Sequence, residues 1–155
     1  MTDNSKVLVV GECFHGQVIS ATSKTIRCAS QISSDVDLLI LANDPEIANQ
    51  SRLFDGISKV LTIQDAIFEN PLASVMAPVI AAIAKDYDCV LVPSTTFGKD
   101  LTPRISALLD VSQLTDIMEV LSPRTFKRPI YAGNAIETLE VNEGQKIVAT
   151  VRPAS

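Results

Sequence analysis

Two rhythms of apolar and polar positions alternate along this 155-residue chain. Short apolar runs closed by glycine or proline read as strands, and between them apolar residues recur every three or four positions, the spacing of one helix face. Lys6 to Val10 is a β-branched run closed by Gly11. Val18, Ala21, Cys28 and Ala29, with Thr25 between them, fall on one helical face and predict a first crossover helix. Val36 to Leu41 is almost continuously apolar, as a strand covered on both faces requires. Asp44-Pro45 supplies a cap and a first helical position for a short helix to about Phe54, with Gly56 as its stop, and Val60 to Ile63 predicts a third strand.

The clearest helical stripe is Leu72, Val75, Met76, Val79, Ile80 and Ile83, with Asn70 placed to cap it and Pro71 at its first position. Pro78 lies inside that stripe and has no N–H to return to Ser74, so a kink is expected there. Cys89 to Val92 predicts a fourth strand, and Leu101, Ile105, Leu108 and Leu109 mark the helix after it. Four strand–helix alternations argue for a three-layer α/β domain, a mostly parallel sheet with flanking helices, filling residues 1–155 as a single domain. After Val111 the rhythm becomes strand-only: Asp116 to Leu121, Thr125 to Tyr131, Ala135 to Val141 and Ile147 to Arg152. Asn142-Glu143-Gly144-Gln145 reads as a hairpin turn between the last two, so antiparallel pairing is expected throughout this C-terminal end, at the edge of the parallel sheet or beside it.

Composition narrows the function classes. With 46% hydrophobic and 20% charged residues the chain can build a core without staples. Its apolar runs fall far short of the ~20 residues of a membrane-spanning helix, so no direct membrane insertion is expected. A net charge of −5 disfavours phosphate backbones, so nucleic acid is not an expected partner, and the one basic spot, Arg124, Lys127 and Arg128, reads as a solvated turn. Cys13, Cys28 and Cys89 are odd in number, widely spaced and without a histidine cluster, which argues against structural zinc and a disulfide framework. The polar start MTDNSK runs straight into a strand, with no secretory or transit pattern, so a bacterial cytoplasm is expected, or a mitochondrial matrix for a eukaryotic chain.

The sharpest candidate for chemistry is Ser94-Thr95-Thr96-Phe97-Gly98-Lys99, after a buried strand and before a helix, where backbone N–H groups and the helix dipole favour an anion. Thr95, Thr96, Gly98 and Lys99 suit a phosphate, yet Asp100 follows Lys99 and the spacing is not that of a Walker loop; the plainer reading is a threonine cap with Lys99 in water. Gly11-Glu12-Cys13-Phe14-His15-Gly16 occupies the other switch-point position with only two glycines, and Cys13 with His15 raises a nucleophile–base pair against a plain turn. Asp110, Asp116 and Glu119 show no spacing that would bring carboxylates together. In Arg128-Pro129-Ile130-Tyr131-Ala132-Gly133-Asn134-Ala135 the proline holds Arg128 extended and Gly133 permits a bend, a structural segment or an interface formed by Arg128, Pro129, Tyr131 and Asn134.

Thr95 to Lys99, Pro103-Arg104, Ala107 to Val111, Asp116-Ile117, Arg128 to Ala135 and Val151-Arg152, taken together, closely resemble the amino-terminal domain of the electron transfer flavoprotein alpha subunit. The resemblance covers the whole chain, through motifs from Asp86 onward and through the strand–helix pattern before it; GECFHG replaces the family's usual start to the first loop, with Glu12 as the counterpart of its acid. It implies an adenine-nucleotide-hydrolase-like, Rossmann-like fold that acts as scaffold and docking surface, with the loop at Thr95 to Lys99 a vestigial phosphate site. It implies FAD held by a second domain beyond Ser155, AMP in a partner beta subunit, and electrons passed from acyl-CoA and related dehydrogenases to a membrane quinone oxidoreductase. No FAD-binding residue, catalytic residue or metal ligand is carried onto this chain, and by itself the domain is expected to catalyse nothing. The competing class is a free-standing module binding ATP or AMP before Lys99; an enzyme built on Cys13 and His15 is the third.

Overall fold

The computed structural model describes residues 3–51, 54–70 and 72–153. Along the chain, β1 (Asp3–Val10) leads into a small hairpin, β2 (Cys13–Phe14) and β3 (Gln17–Val18), then α1 (Ala21–Ile32), β4 (Ser33–Ala42), α2 (Glu46–Ser51), β5 (Lys59–Gln64), α3 (Ala73–Ala84), β6 (Cys89–Pro93) and α4 (Thr96–Leu109). The last third adds β7 (Gln113–Ile117), β8 (Glu119–Ser122), β9 (Thr125–Ile130), β10 (Ala135–Glu140) and β11 (Ile147–Val151).

Six of these strands form one sheet in the order β5-β4-β1-β6-β11-β7, with every neighbouring pair parallel. Alternation of side chains sorts the core into two layers. Val7 and Val9 of β1 and Leu38 and Ile40 of β4 pack with Ile26 and Ile32 of α1. Leu8, Val10, Leu39 and Leu41 face the other way, onto Ile80 of α3 and Leu101 and Ile105 of α4. Each such fully buried aliphatic side chain contributes about 1.5–3 kcal/mol, so the two layers together hold the sheet between the helices. The three-layer α/β architecture is the one the alternation predicts.

Locally the caps are mixed. Asp44 accepts the N–H of Glu46 at 2.9 Å and starts α2 as expected. Asn70 does not cap α3: the helix begins at Ala73 with Leu72 in the cap position and no side-chain bond, and Pro71 lies outside the described residues. α3 is continuous through Pro78, so the missing N–H does not end it. Val18 belongs to β3, and the buried face of α1 is Thr22, Thr25, Ile26, Cys28, Ala29 and Ile32.

The C-terminal third departs most from the sequence reading. The single strand expected over Asp116 to Leu121 is two, broken at Met118: β7 stays in the parallel sheet and β8 joins β9 and β10 in a separate antiparallel sheet, order β10-β9-β8. Asp116, in the left-handed region at φ 59, makes the turn out of one sheet toward the other. The hairpin expected between Ala135 to Val141 and Ile147 to Arg152 does not form. Instead β11 enters the parallel sheet between β6 and β7, and all five of its residues are buried. A strand buried on both faces belongs to the interior of a parallel sheet, a fit the short turn before it obscured. Phe126 of β9, 1% exposed, anchors the small sheet on the α1 side of the main core.

Candidate functional site

The strand order reverses between β1 and β6, and ligands of open parallel sheets sit outside the carboxyl ends of the strands at such a reversal. The two loops flanking it begin at Gly11 and Ser94. Thr95 is the N-cap of α4, and its side chain accepts the Gly98 N–H at 3.1 Å while its hydroxyl donates to the Glu12 carboxylate of the facing loop. A carboxylate therefore sits at the helix N-terminus through Thr95, where a phosphate loop would hold its anion. Gly98 is required for close packing: a Cβ there would lie 1.8 Å from the Pro93 carbonyl oxygen, and Thr102 Oγ1 donates to the Gly98 carbonyl at 2.7 Å. Thr96 and Lys99 are exposed, and Lys99 makes no ion pair among the described residues. Ser94 Oγ donates to Asp116, whose own N–H donates to Thr150 Oγ1 at 2.8 Å, so the remaining hydroxyl of the loop ties β6 to β7 and β11.

The loop after β1 is the β2–β3 hairpin. His15 and Gly16 form its two-residue turn, both with positive φ (50° and 74°), the pairing that favours asparagine, histidine or glycine there. The His15 ring stands edge-on to Phe14 with centroids 4.0 Å apart. Cys13 is pushed up to about 11 by burial and then by the Glu12 charge, the opposite of an activated thiol. This geometry gives no nucleophile–base pair. Asp110 closes α4 in the left-handed conformation, Asp116 bonds Ser94, and the exposed Glu119 pairs with half-buried Lys127 at 3.9 Å, so the three acids have separate tasks. No group able to hold a metal ion occurs among the described residues.

Arg124, Lys127 and Arg128 are each engaged, so the basic spot is not a solvated turn. Arg124 donates from Nε to the Val141 carbonyl at 3.0 Å and from Nη2 to the carbonyls of Asn142 and Gln145, clasping the turn before β11. Arg128 reaches Glu137 Oε2 from Nε and Nη2, both at 3.2 Å, and Thr115 Oγ1 from Nη1 at 3.1 Å. It thereby fastens β9 to β10 and to β7 of the main sheet. Pro129 is half-buried beside it. Beyond, Tyr131, Ala132 and Gly133 all have positive φ (52°, 55° and 87°), and Tyr131 is 78% exposed. Gly133 serves that conformation alone, since a Cβ there would meet nothing within 4 Å. The exposed Asn134 returns its backbone N–H to the Tyr131 carbonyl at 3.0 Å.

Sequence reading missed a cleft of about 670 Å³ at the carboxyl edge of β1 and β4. Ile47, Phe68, Met76 and Phe97 line it together with Asp44, Glu69 and His15, and among the described residues no lysine or arginine does. With the hairpin residues from Gly11 to Gly16, the lining comes from five separated segments, so no local motif announces it. Of the loop from Ser94 to Lys99, only Phe97 reaches it.

The profile of the electron transfer flavoprotein domain family matches residues 7–155. The chain is similar to the electron transfer flavoprotein subunit alpha of Pseudomonas aeruginosa, 42% identical over 147 residues, covering 94% of this chain and 47% of that protein. The Paracoccus denitrificans subunit alpha is 36% identical, with 96% and 48% covered. The mitochondrial subunit alpha of Dictyostelium discoideum is 33% identical, with 96% and 44% covered. The chain thus spans about half the length of the relatives it matches. No helix among its described residues is long and apolar enough to cross a membrane.

Proposed function

We propose, from the premise that this chain belongs to the electron transfer flavoprotein family, that it is the scaffold and docking domain of an alpha subunit whose flavin chemistry takes place elsewhere in the protein. In the whole protein an alpha and a beta subunit assemble, FAD resides in a second domain of alpha, AMP in beta, and electrons pass from acyl-CoA and related dehydrogenases to a membrane quinone oxidoreductase.

The residues at the switch point do not fit a flavin dinucleotide. The N-terminus of α4 is approached by Glu12 through Thr95, Gly98 is pressed against Pro93, and the cleft beside them offers a pyrophosphate Asp44 and Glu69, with His15 but no lysine or arginine among the described residues. The same features argue against a free-standing ATP or AMP module, which would bury a polyanion against carboxylates. What this chain contributes is position: a rigid two-layer core that carries the β8–β9–β10 sheet as a projecting platform.

The observation that carries the docking reading is the tip of that platform. Tyr131, 78% exposed, and Ile136, 59% exposed, sit where three consecutive residues hold left-handed backbone. The bend is closed by the Asn134 N–H on the Tyr131 carbonyl, and the strands on either side of it, β9 and β10, are tied by Arg128 to Glu137. Aromatic residues presented on a rigid tip are the usual anchors of protein interfaces. Purified beta subunit titrated with an alpha chain carrying Tyr131→Ala and Ile136→Ser tests the assignment by sedimentation or calorimetry. Affinity is expected to fall at least about tenfold with the circular dichroism unchanged. Unchanged affinity would remove this tip from the interface.

A further inference from the structure

We infer that the cleft at the carboxyl edge of the sheet seats a polypeptide segment of a partner protein that presents an apolar side chain next to lysine or arginine. This is a second docking face, independent of the Tyr131 tip.

Size comes first. At about 670 Å³ the cleft falls within the ~300–1,000 Å³ of functional pockets, and its floor is apolar, built from Ile47, Phe68, Met76 and Phe97. Its wall is preformed. Gln50 of α2 accepts the Val18 N–H at 3.2 Å and donates to the Gly16 carbonyl at 2.9 Å, pinning the β2–β3 hairpin that overhangs the cleft.

Charge then selects the occupant. Asp44 and Glu69 line the cleft together with His15; among the described residues neither acid forms an ion pair and no lysine or arginine shares the lining. An anionic ligand would meet uncompensated like charge, whereas a cation beside an apolar group meets both halves of its complement. The rim distinguishes a polypeptide from a small amine. Phe14 of the lining is 65% exposed, and Ile67 and Leu72, which flank the lining residues Phe68 to Asn70 in sequence, are 56% and 59% exposed. A ligand confined to the cleft would leave this rim in water; a chain segment entering it would cover the rim. The side-chain amides of Asn43 and Asn70, also in the lining, can bond the backbone of such a segment.

The test uses two acetylated, amidated tetrapeptides, Lys-Leu-Phe-Lys and Glu-Leu-Phe-Glu, titrated into the chain by calorimetry and by NMR shift mapping. The basic peptide is expected to bind saturably, at least about tenfold tighter than the acidic one, and to weaken severalfold between about 0.05 and about 0.5 M salt. Shifts are expected at Phe14, Glu69 and Phe97. The exposed pair Asp44→Asn with Glu69→Gln, which removes both charges and keeps a capping oxygen for α2, is expected to abolish the preference, and Phe14→Ser to weaken both peptides, each variant keeping the wild-type melting curve. Equal affinity for the two peptides, no binding at millimolar concentration, or shifts confined to another face would overturn the inference. Arginine amide binding as tightly as the tetrapeptide would overturn its polypeptide half.

Discussion

The Thr95 hydroxyl donates to the Glu12 carboxylate while its oxygen accepts the Gly98 N–H, so one side chain both caps α4 and joins the two loops that face each other across the switch point. This contact turns a position that resembles a phosphate loop into part of the scaffold.

Removing it has a defined cost. Thr95→Ala deletes an N-cap and leaves Glu12 without its hydroxyl donor, and is expected to destabilise the chain by about 1–2 kcal/mol in urea unfolding. Thr95→Ser, which keeps the hydroxyl, is expected to restore most of that. Equal loss in both variants would mean that the threonine methyl group matters more than the bond.

Two glycines separate close approach from backbone conformation. Gly98→Ala would place a methyl group 1.8 Å from the Pro93 carbonyl oxygen, backbone against backbone, and is expected to cost more than about 4 kcal/mol or to prevent folding. Gly144→Ala has open space around it but φ +82, so about 1–2 kcal/mol is expected from the left-handed backbone alone. Thermal melts of the two variants, compared directly, check the ranking.

The cysteines give a pH dependence of known sign. Burial pushes Cys28 up to about 12, and burial with Glu12 pushes Cys13 up to about 11. The folded thiols hold their protons where unfolded thiols have lost them. The stability they contribute is therefore complete below the ordinary thiol range of ~8.5 and is lost as pH rises through about 11 to 12. Native Cys13 is expected to react slowly with iodoacetamide at neutral pH, at a small fraction of the rate of the urea-unfolded chain. Labelling at the free-thiol rate would contradict this placement.

Arg128 tests how the platform is held. Arg128→Lys keeps the charge but cannot reach Glu137 and Thr115 together, and is expected to lose about 1 kcal/mol, close to the loss in Arg128→Ala. A double-mutant cycle with Glu137→Gln measures the pair directly. Coupling near zero would show that packing of Phe126 alone fixes the small sheet.

Tyr87 probes the buried carboxylate of the amino edge. Its hydroxyl donates to Asp37 Oδ2, Asp37 is 1% exposed, and its other oxygen has no hydrogen-bond partner. Tyr87→Phe leaves only Lys59, 3.7 Å from Oδ2, and is expected to cost about 2–3 kcal/mol in denaturant unfolding.

The amino-acid sequence by itself determined the two-sided strands, the crossover helices, the cap at Asp44 and the resemblance carried from Thr95 to Lys99 and from Arg128 to Ala135. These are local properties, written in the period of the apolar pattern and in the residues at element ends. Tertiary structure decided where β11 lies, the break at Met118, the approach of Glu12 to Thr95 and the assembly of the cleft from five segments. The run Ile147 to Val151 states that both its faces are covered but not by which neighbours. Its partners β6 and β7 lie more than twenty residues away, and strand pairing is settled by hydrogen bonds and register between distant segments, which no local periodicity records.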